Sequence, residues 1–140
     1  MDLHSNAGDL PSFVVPYLAV VGGAEALDFY VAAMGAVERS RMTSDDGTLA
    51  HAEFTIGAAR FYLADEWPRM SVRSPLSLGG NSVSFSIEVD DAPAWVARAT
   101  AAGARVERPV EPGPEEGFQA GWIVDPFGHR WHLTSRLTAD

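Results

Sequence analysis

Two histidines and a carboxylate are the residues of this chain best suited to chemistry. His51 and Glu53 lie two apart in a stretch whose neighbours Ala52, Phe54 and Ile56 are apolar. Alternation of that kind marks a β-strand, so both polar side chains point to one face. His132 lies in a second alternating stretch, Arg130-Trp131-His132-Leu133-Thr134, on the face opposite Trp131 and Leu133. If they converge, His51, Glu53 and His132 make a two-histidine, one-carboxylate set for a divalent metal ion. Without a metal, Glu53 or Glu88 paired with His51 or His132 can move a proton. The plainer expectation is that these groups line a cavity and hydrogen-bond one another. His129, of opposite parity to His132, is expected at the surface of a turn.

Other chemistries find no support. Gly22-Gly23 lacks the further glycine, lysine and serine or threonine of a phosphate loop. No Gly-x-Ser-x-Gly nucleophile elbow occurs. The 140 residues include no cysteine, which excludes disulfides and thiolate metal sites. A formal net charge of −9 argues against nucleic acid as a partner, because the phosphate backbone needs basic patches. That charge suits solubility, and more pointedly a pocket for a cationic ligand. The first dozen residues hold Asp2, His4, Asn6, Asp9 and Pro11 and no apolar run, and no segment is long and apolar enough to span a membrane. The expected location is cytoplasmic, with no membrane partner.

The elements that must position these residues can be read from pattern. Residues 1–12 carry no periodicity and are expected as a flexible tail, with a single domain over 13–140. A strand is expected over 13–21, with Pro16 implying an edge position or an end of pairing. A helix over 24–34 follows, stopped by Gly35, then strands near 36–43, 48–56 and 59–65. Residues 67–80, rich in proline and glycine, read as a linker between modules at about 13–66 and 81–136. The second module opens with a strand over 82–89, in which Val83, Phe85, Ile87 and Val89 should face the helices. A helix over 92–102, capped by Asp90 or Asp91, leads to Gly103 and a strand near 104–110. A loop holding Pro109, Pro112, Gly113, Pro114 and Gly117 precedes strands near 118–124 and 129–135. The stretch from Leu18 to Gly35-Ala36 matches that from Ser86 to Gly103-Ala104 at one offset, which points to a duplicated module.

The segment Asp125-Pro126-Phe127-Gly128-His129-Arg130-Trp131-His132-Leu133 resembles the closing hairpin of the vicinal-oxygen-chelate superfamily, which includes glyoxalase I, extradiol dioxygenases and bleomycin-resistance proteins. Pro16-Tyr17-Leu18 with Asp28-Phe29-Tyr30, then His51-Ala52-Glu53-Phe54 and Leu63-Ala64-Asp65-Glu66, resemble its PhnB-like branch. The resemblance covers 13–135. It implies an α+β fold of two βαβββ modules forming a curved mixed sheet, with helices outside and a concave ligand cavity. It also implies metal-ligand positions at Val15, near Tyr62, near Ser84 and at His132. Val15 cannot ligate, Tyr62 and Ser84 are poor neutral ligands, and one imidazole does not hold a divalent ion.

No metal cofactor is therefore expected, the alternative being one divalent ion held by His51, Glu53 and His132. On the concave face, Tyr17, Tyr62 and Trp122 offer aromatic walls, and Ser84, Ser86 and Glu88 offer polar contacts beside His51, Glu53 and His132. Trp95 and Trp131 are expected in the core, and Trp67 as a lid or interface residue. The implied function is metal-free binding of an aromatic or cationic small molecule by a homodimer of the drug-sequestering resistance type. The alternative is a lyase, isomerase or dioxygenase using a relocated metal or a His–Glu pair.

Overall fold

Apolar alternation places the strands. In β3 (Leu49–Ile56), Leu49, Ala52, Phe54 and Ile56 are buried while His51, Glu53 and Thr55 face away. In β8 (Arg130–Arg136), Trp131, Leu133 and Ser135 are buried and alternate with Arg130, His132 and Thr134. This computed structural model describes residues 12–137, so the expected tail lies outside the described residues apart from Ser12. The other elements are β1 (Tyr17–Val20), α1 (Gly23–Ala33), β2 (Val37–Thr43), β4 (Ala59–Asp65), a one-turn helix α2 (Pro75–Leu78), β5 (Phe85–Glu88), α3 (Ala92–Ala101), β6 (Arg105–Pro112) and β7 (Phe118–Val124).

The strands form two four-stranded sheets, ordered β1-β4-β3-β2 and β5-β8-β7-β6. In each, the first strand is parallel to the last (β1 with β4, β5 with β8) and the rest are antiparallel. This is the expected α+β fold of two βαβββ units. Helix α1 packs on the first sheet and α3 on the second, and the core runs unbroken from one unit to the other. The Tyr30 ring lies 5.9 Å from Trp131, and Phe61 lies 5.7 Å from Trp131 and 5.9 Å from Phe85. Burial of such side chains contributes roughly 1.5–3 kcal/mol each, which is what holds the two units together.

The helix ends are satisfied in two ways. Asp91 caps α3 by accepting the Ala94 N–H at 3.1 Å. At α1 the N-cap is Gly22, which has no side chain, and Asp65 at the end of β4 supplies the missing acceptor. Its Oδ1 accepts the N–H groups of Gly22 and Gly23, each at 2.9 Å, and its Oδ2 accepts that of Leu49 at 2.7 Å. Gly35, at φ +66°, turns the chain out of α1.

Five expectations change. β1 begins at Tyr17, because Pro16 has no N–H to donate, and Phe13 and Val14 lie exposed before it. Its edge position is as expected. β5 begins only at Phe85, since its parallel partner β8 starts at Arg130 and offers no ladder before that; Val83 is 59 % exposed and does not face the helices. Pro109 and Pro112 lie within β6, an edge strand whose register shifts twice against β7, where a missing N–H is tolerated. Residues 67–80 hold a 3-10 turn at Pro68–Met70 and the helical turn α2. The uniform offset of the repeat slips by one at the first strands: buried Leu18, paired with Leu63, corresponds to Ile87, paired with Leu133, and not to exposed Ser86.

Candidate functional site

The outward face of the first sheet gathers a polar aromatic cluster. Tyr17 on β1 and Glu53 on β3 both stand opposite Tyr62 on β4. The Tyr17 hydroxyl and His51 Nδ1 share a hydrogen bond of 2.7 Å. The Tyr17 ring meets His51 and Tyr62 edge-on at 5.4 Å, and His51 lies 5.0 Å from Tyr62. Arg60 donates to both Glu53 oxygens, at 3.1 and 3.2 Å, and to the Tyr62 hydroxyl at 3.0 Å. Hydrogen bonding from Arg60 holds the Glu53 carboxyl below the usual carboxylate range.

The second sheet carries a parallel arrangement. Ser86 Oγ and His132 Nδ1 share a hydrogen bond of 2.8 Å, and the Trp122 ring lies 4.7 Å from His132. Arg130 stacks 4.4 Å over Trp122, donates to Ser84 Oγ at 2.8 Å, and forms an ion pair with Glu107 that holds that carboxyl low. Glu88 is exposed two residues beyond Ser86. Arg60 and Arg130 are the site residues that sequence reasoning missed. Each lies two residues before Tyr62 or His132 on the same strand, and that spacing was the available signal.

The alternative metal triad does not assemble within one chain. His51 and Glu53 sit on one sheet and His132 on the other. Tyr17 and Ser86 engage Nδ1 of His51 and of His132, and Arg60 engages both Glu53 oxygens. Among the described residues, no three His, Asp or Glu side chains are placed to hold an ion. Within one chain, neither this set nor Val15, Tyr62, Ser84 and His132 brings together the donors that a divalent ion needs.

The hairpin that carried the resemblance is structural. Asp125, 3 % exposed, accepts from the Tyr30 hydroxyl at 2.6 Å, Trp131 Nε1 at 2.9 Å, the Phe127 N–H at 2.9 Å and the His129 N–H at 3.1 Å. Burial, with the Asp125 charge and hydrogen bond, raises the Tyr30 phenol well above its ordinary range. His129 is buried, against the expectation of a surface position. Its Nε2 lies 3.0 Å from the Ala19 carbonyl oxygen, which ties the turn of the second unit to β1. Trp131 is fully buried and Trp95 packs at the core margin.

A cavity of about 780 Å³ opens at the end of the first sheet. Tyr17, Ala19 and Ala64 form its wall on the sheet side, and Glu66, Trp67 and Val72 close it from the connecting segment. Trp67 and Val72 exchange backbone hydrogen bonds of 2.9 and 3.0 Å, which makes residues 67–72 a small strap. Trp67 is 60 % exposed on that strap. The strap follows the sheet in sequence by only a few residues, and Trp67, expected as a lid or interface residue, lines the cavity from it.

Likeness to known proteins agrees with this geometry. An uncharacterized protein of Mycobacterium tuberculosis is 38 % identical over 138 residues, covering 93 % of this chain and 81 % of its own. The crystal structure of TioX from Micromonospora sp. ML1 superposes with a TM-score of 0.68 at 25 % identity, covering 92 % of this chain and 99 % of that one. A PhnB protein from Bacillus cereus shares the fold with a TM-score of 0.68 at 21 % identity, over 89 % of this chain and 99 % of its own. With two βαβββ units in space and a family match over residues 13–133, the chain belongs to the Glyoxalase/Bleomycin resistance protein/Dioxygenase superfamily.

Proposed function

We propose that this protein binds a small molecule without a metal ion, in the manner of the drug-sequestering members of its superfamily. One observation carries the reading. Tyr17 belongs at once to the wall of the 780 Å³ cavity and to the hydrogen-bonded cluster with His51 and Tyr62. A cavity of this size, mostly apolar with a few fixed polar groups, suits a drug-sized ligand. The ligand lies in the cavity against Tyr17, whose ring is held by His51 and Tyr62, with Glu53 beyond them on the adjoining sheet face. Ser84, Glu88, Trp122 and His132 offer a matching surface on the second sheet. The Pro16-Tyr17-Leu18 and His51-Ala52-Glu53-Phe54 motifs, with the fold shared by the PhnB protein, support placement in the PhnB-like branch.

The working form is a homodimer. The strands β2 and β6 are exposed along nearly their whole length, and Phe13, Val14, Val83 and Leu76 are exposed apolar side chains. A second copy is the simplest cover for them. Equilibrium dialysis against a panel of aromatic natural products, with light scattering for mass, tests both parts. Binding that survives product analysis unchanged, and falls at least about tenfold in Tyr17→Ala, is expected. Chemical conversion of the ligand would replace this reading with an enzymatic one.

A further inference from the structure

The cavity beside Tyr17 is set up for charge of one sign. Asp46, Asp65 and Glu66 all line it, and Arg73 is the one cation among the described residues that do. Asp65 is fully engaged, because its two oxygens accept three backbone N–H groups. Glu66 takes its donors from the connecting segment: its Oε1 accepts the Ser74 N–H at 2.8 Å, the Ser77 and Ser74 side chains hydrogen-bond to it as well, and the Arg73 charge lies nearby without forming an ion pair with it. Hydrogen bonding from Ser77 and Ser74 keeps the Glu66 carboxyl below the usual range, and Thr48 does the same for Asp46. Both groups are therefore ionised at neutral pH.

Two aromatic faces accompany these carboxylates. Tyr17 is 55 % and Trp67 60 % exposed, whereas Tyr30, Phe54 and Trp131 are buried in the core. An indole left open beside a carboxylate at a cavity wall has unused recognition capacity. Its ring quadrupole and the carboxylate charge both attract a cation and both repel an anion. The remaining walls at Ala19, Leu49, Ala64 and Val72 are apolar and favour a ring or hydrocarbon body.

We propose that this cavity selects organic cations, their apolar body against Tyr17 and Trp67 and their charged nitrogen at Glu66. The proposal rests on the small-molecule reading above and narrows it to one charge class. The overall charge of −9 acts in the same direction at long range by drawing cations toward the protein.

The test is a fluorescence titration of the whole protein with three ring systems of similar shape. They are N-methylacridinium, acridine at mildly alkaline pH where it is neutral, and anthracene-9-carboxylate. The expected result is tightest binding of N-methylacridinium, by about tenfold over acridine, with the carboxylate weakest. Glu66→Gln keeps an acceptor for the Ser74 N–H. It is expected to weaken the cation about tenfold and leave acridine unchanged. Where that variant does not fold, Asp46→Asn on the exposed loop is expected to give a smaller loss in the same direction. Acridine binding as tightly as the cation, or a cation indifferent to both substitutions, overturns the charge selection and leaves the small-molecule reading intact. Failure of all three compounds to bind overturns both.

Discussion

The Tyr30 hydroxyl donates a 2.6 Å hydrogen bond to Asp125, across 95 residues of sequence. One partner lies on α1 of the first unit and the other in the closing turn of the second. The same carboxylate holds the Trp131 indole and two turn N–H groups. A buried charge with four donors is a single structural unit, and removing any part leaves the rest unpaired.

Asp125→Ala is expected to destabilise the fold by about 3–5 kcal/mol, and Tyr30→Phe by about 1–3 kcal/mol, in urea unfolding. The pH dependence follows from the raised Tyr30 phenol. Its folded value lies above the unfolded value of 10.0, so its contribution is complete below that pH. It is lost as pH rises from there toward the folded value, because the unfolded chain gives up its proton first. Tyr30→Phe should therefore unfold less steeply with alkali than the unaltered protein. An unchanged alkaline profile would separate Tyr30 from that transition.

Asp65 and Ser135 do the same job in the two units. Asp65 accepts the Gly23 N–H at the start of α1, and Ser135 Oγ accepts the Ala92 N–H at the start of α3. Asp65 takes three backbone donors in all. Asp65→Ala should cost about 2–3 kcal/mol and Ser135→Ala about 1 kcal/mol, read from thermal or urea melts. The reverse order would mean that α1 is held by its packing alone.

The α1 entry is also tight. A Cβ on residue 23 would lie 2.5 Å from Leu49 Cβ and 2.8 Å from Asp65 Oδ2. Gly23→Ala is expected to lose about 1–3 kcal/mol, since neither the strand nor the capping carboxylate can move freely. A melt indistinguishable from that of the unaltered chain would show that the strand end gives way at little cost.

Trp67 is the exposed indole of the cavity strap, and Trp131 is fully buried. Trp67→Phe should remove the emission most accessible to acrylamide and leave the buried component in place. Ligand that enters the cavity should protect that same emission in the unaltered protein. Protection that persists in Trp67→Phe would move the ligand to the second sheet, near Trp122.

Much of this was legible locally. The two-residue alternation of 51–56 and 130–134 settled which side His51, Glu53 and His132 face, because strand geometry leaves no other choice. The order of elements followed from glycine and proline punctuation and from apolar period in the same way. Which groups meet did not follow, because partners are set by register between strands distant in sequence. Tertiary structure put His51 beside Tyr17 and His132 beside Ser86 on separate sheets, so the three-residue metal set does not form within the chain. It gave Arg60 and Arg130 their carboxylates, and it drew His129 under the first unit to meet Ala19. The cavity at Trp67 belongs partly to the same class: the sequence suggested Trp67 as a lid or interface residue, but which walls it meets is a long-range packing outcome.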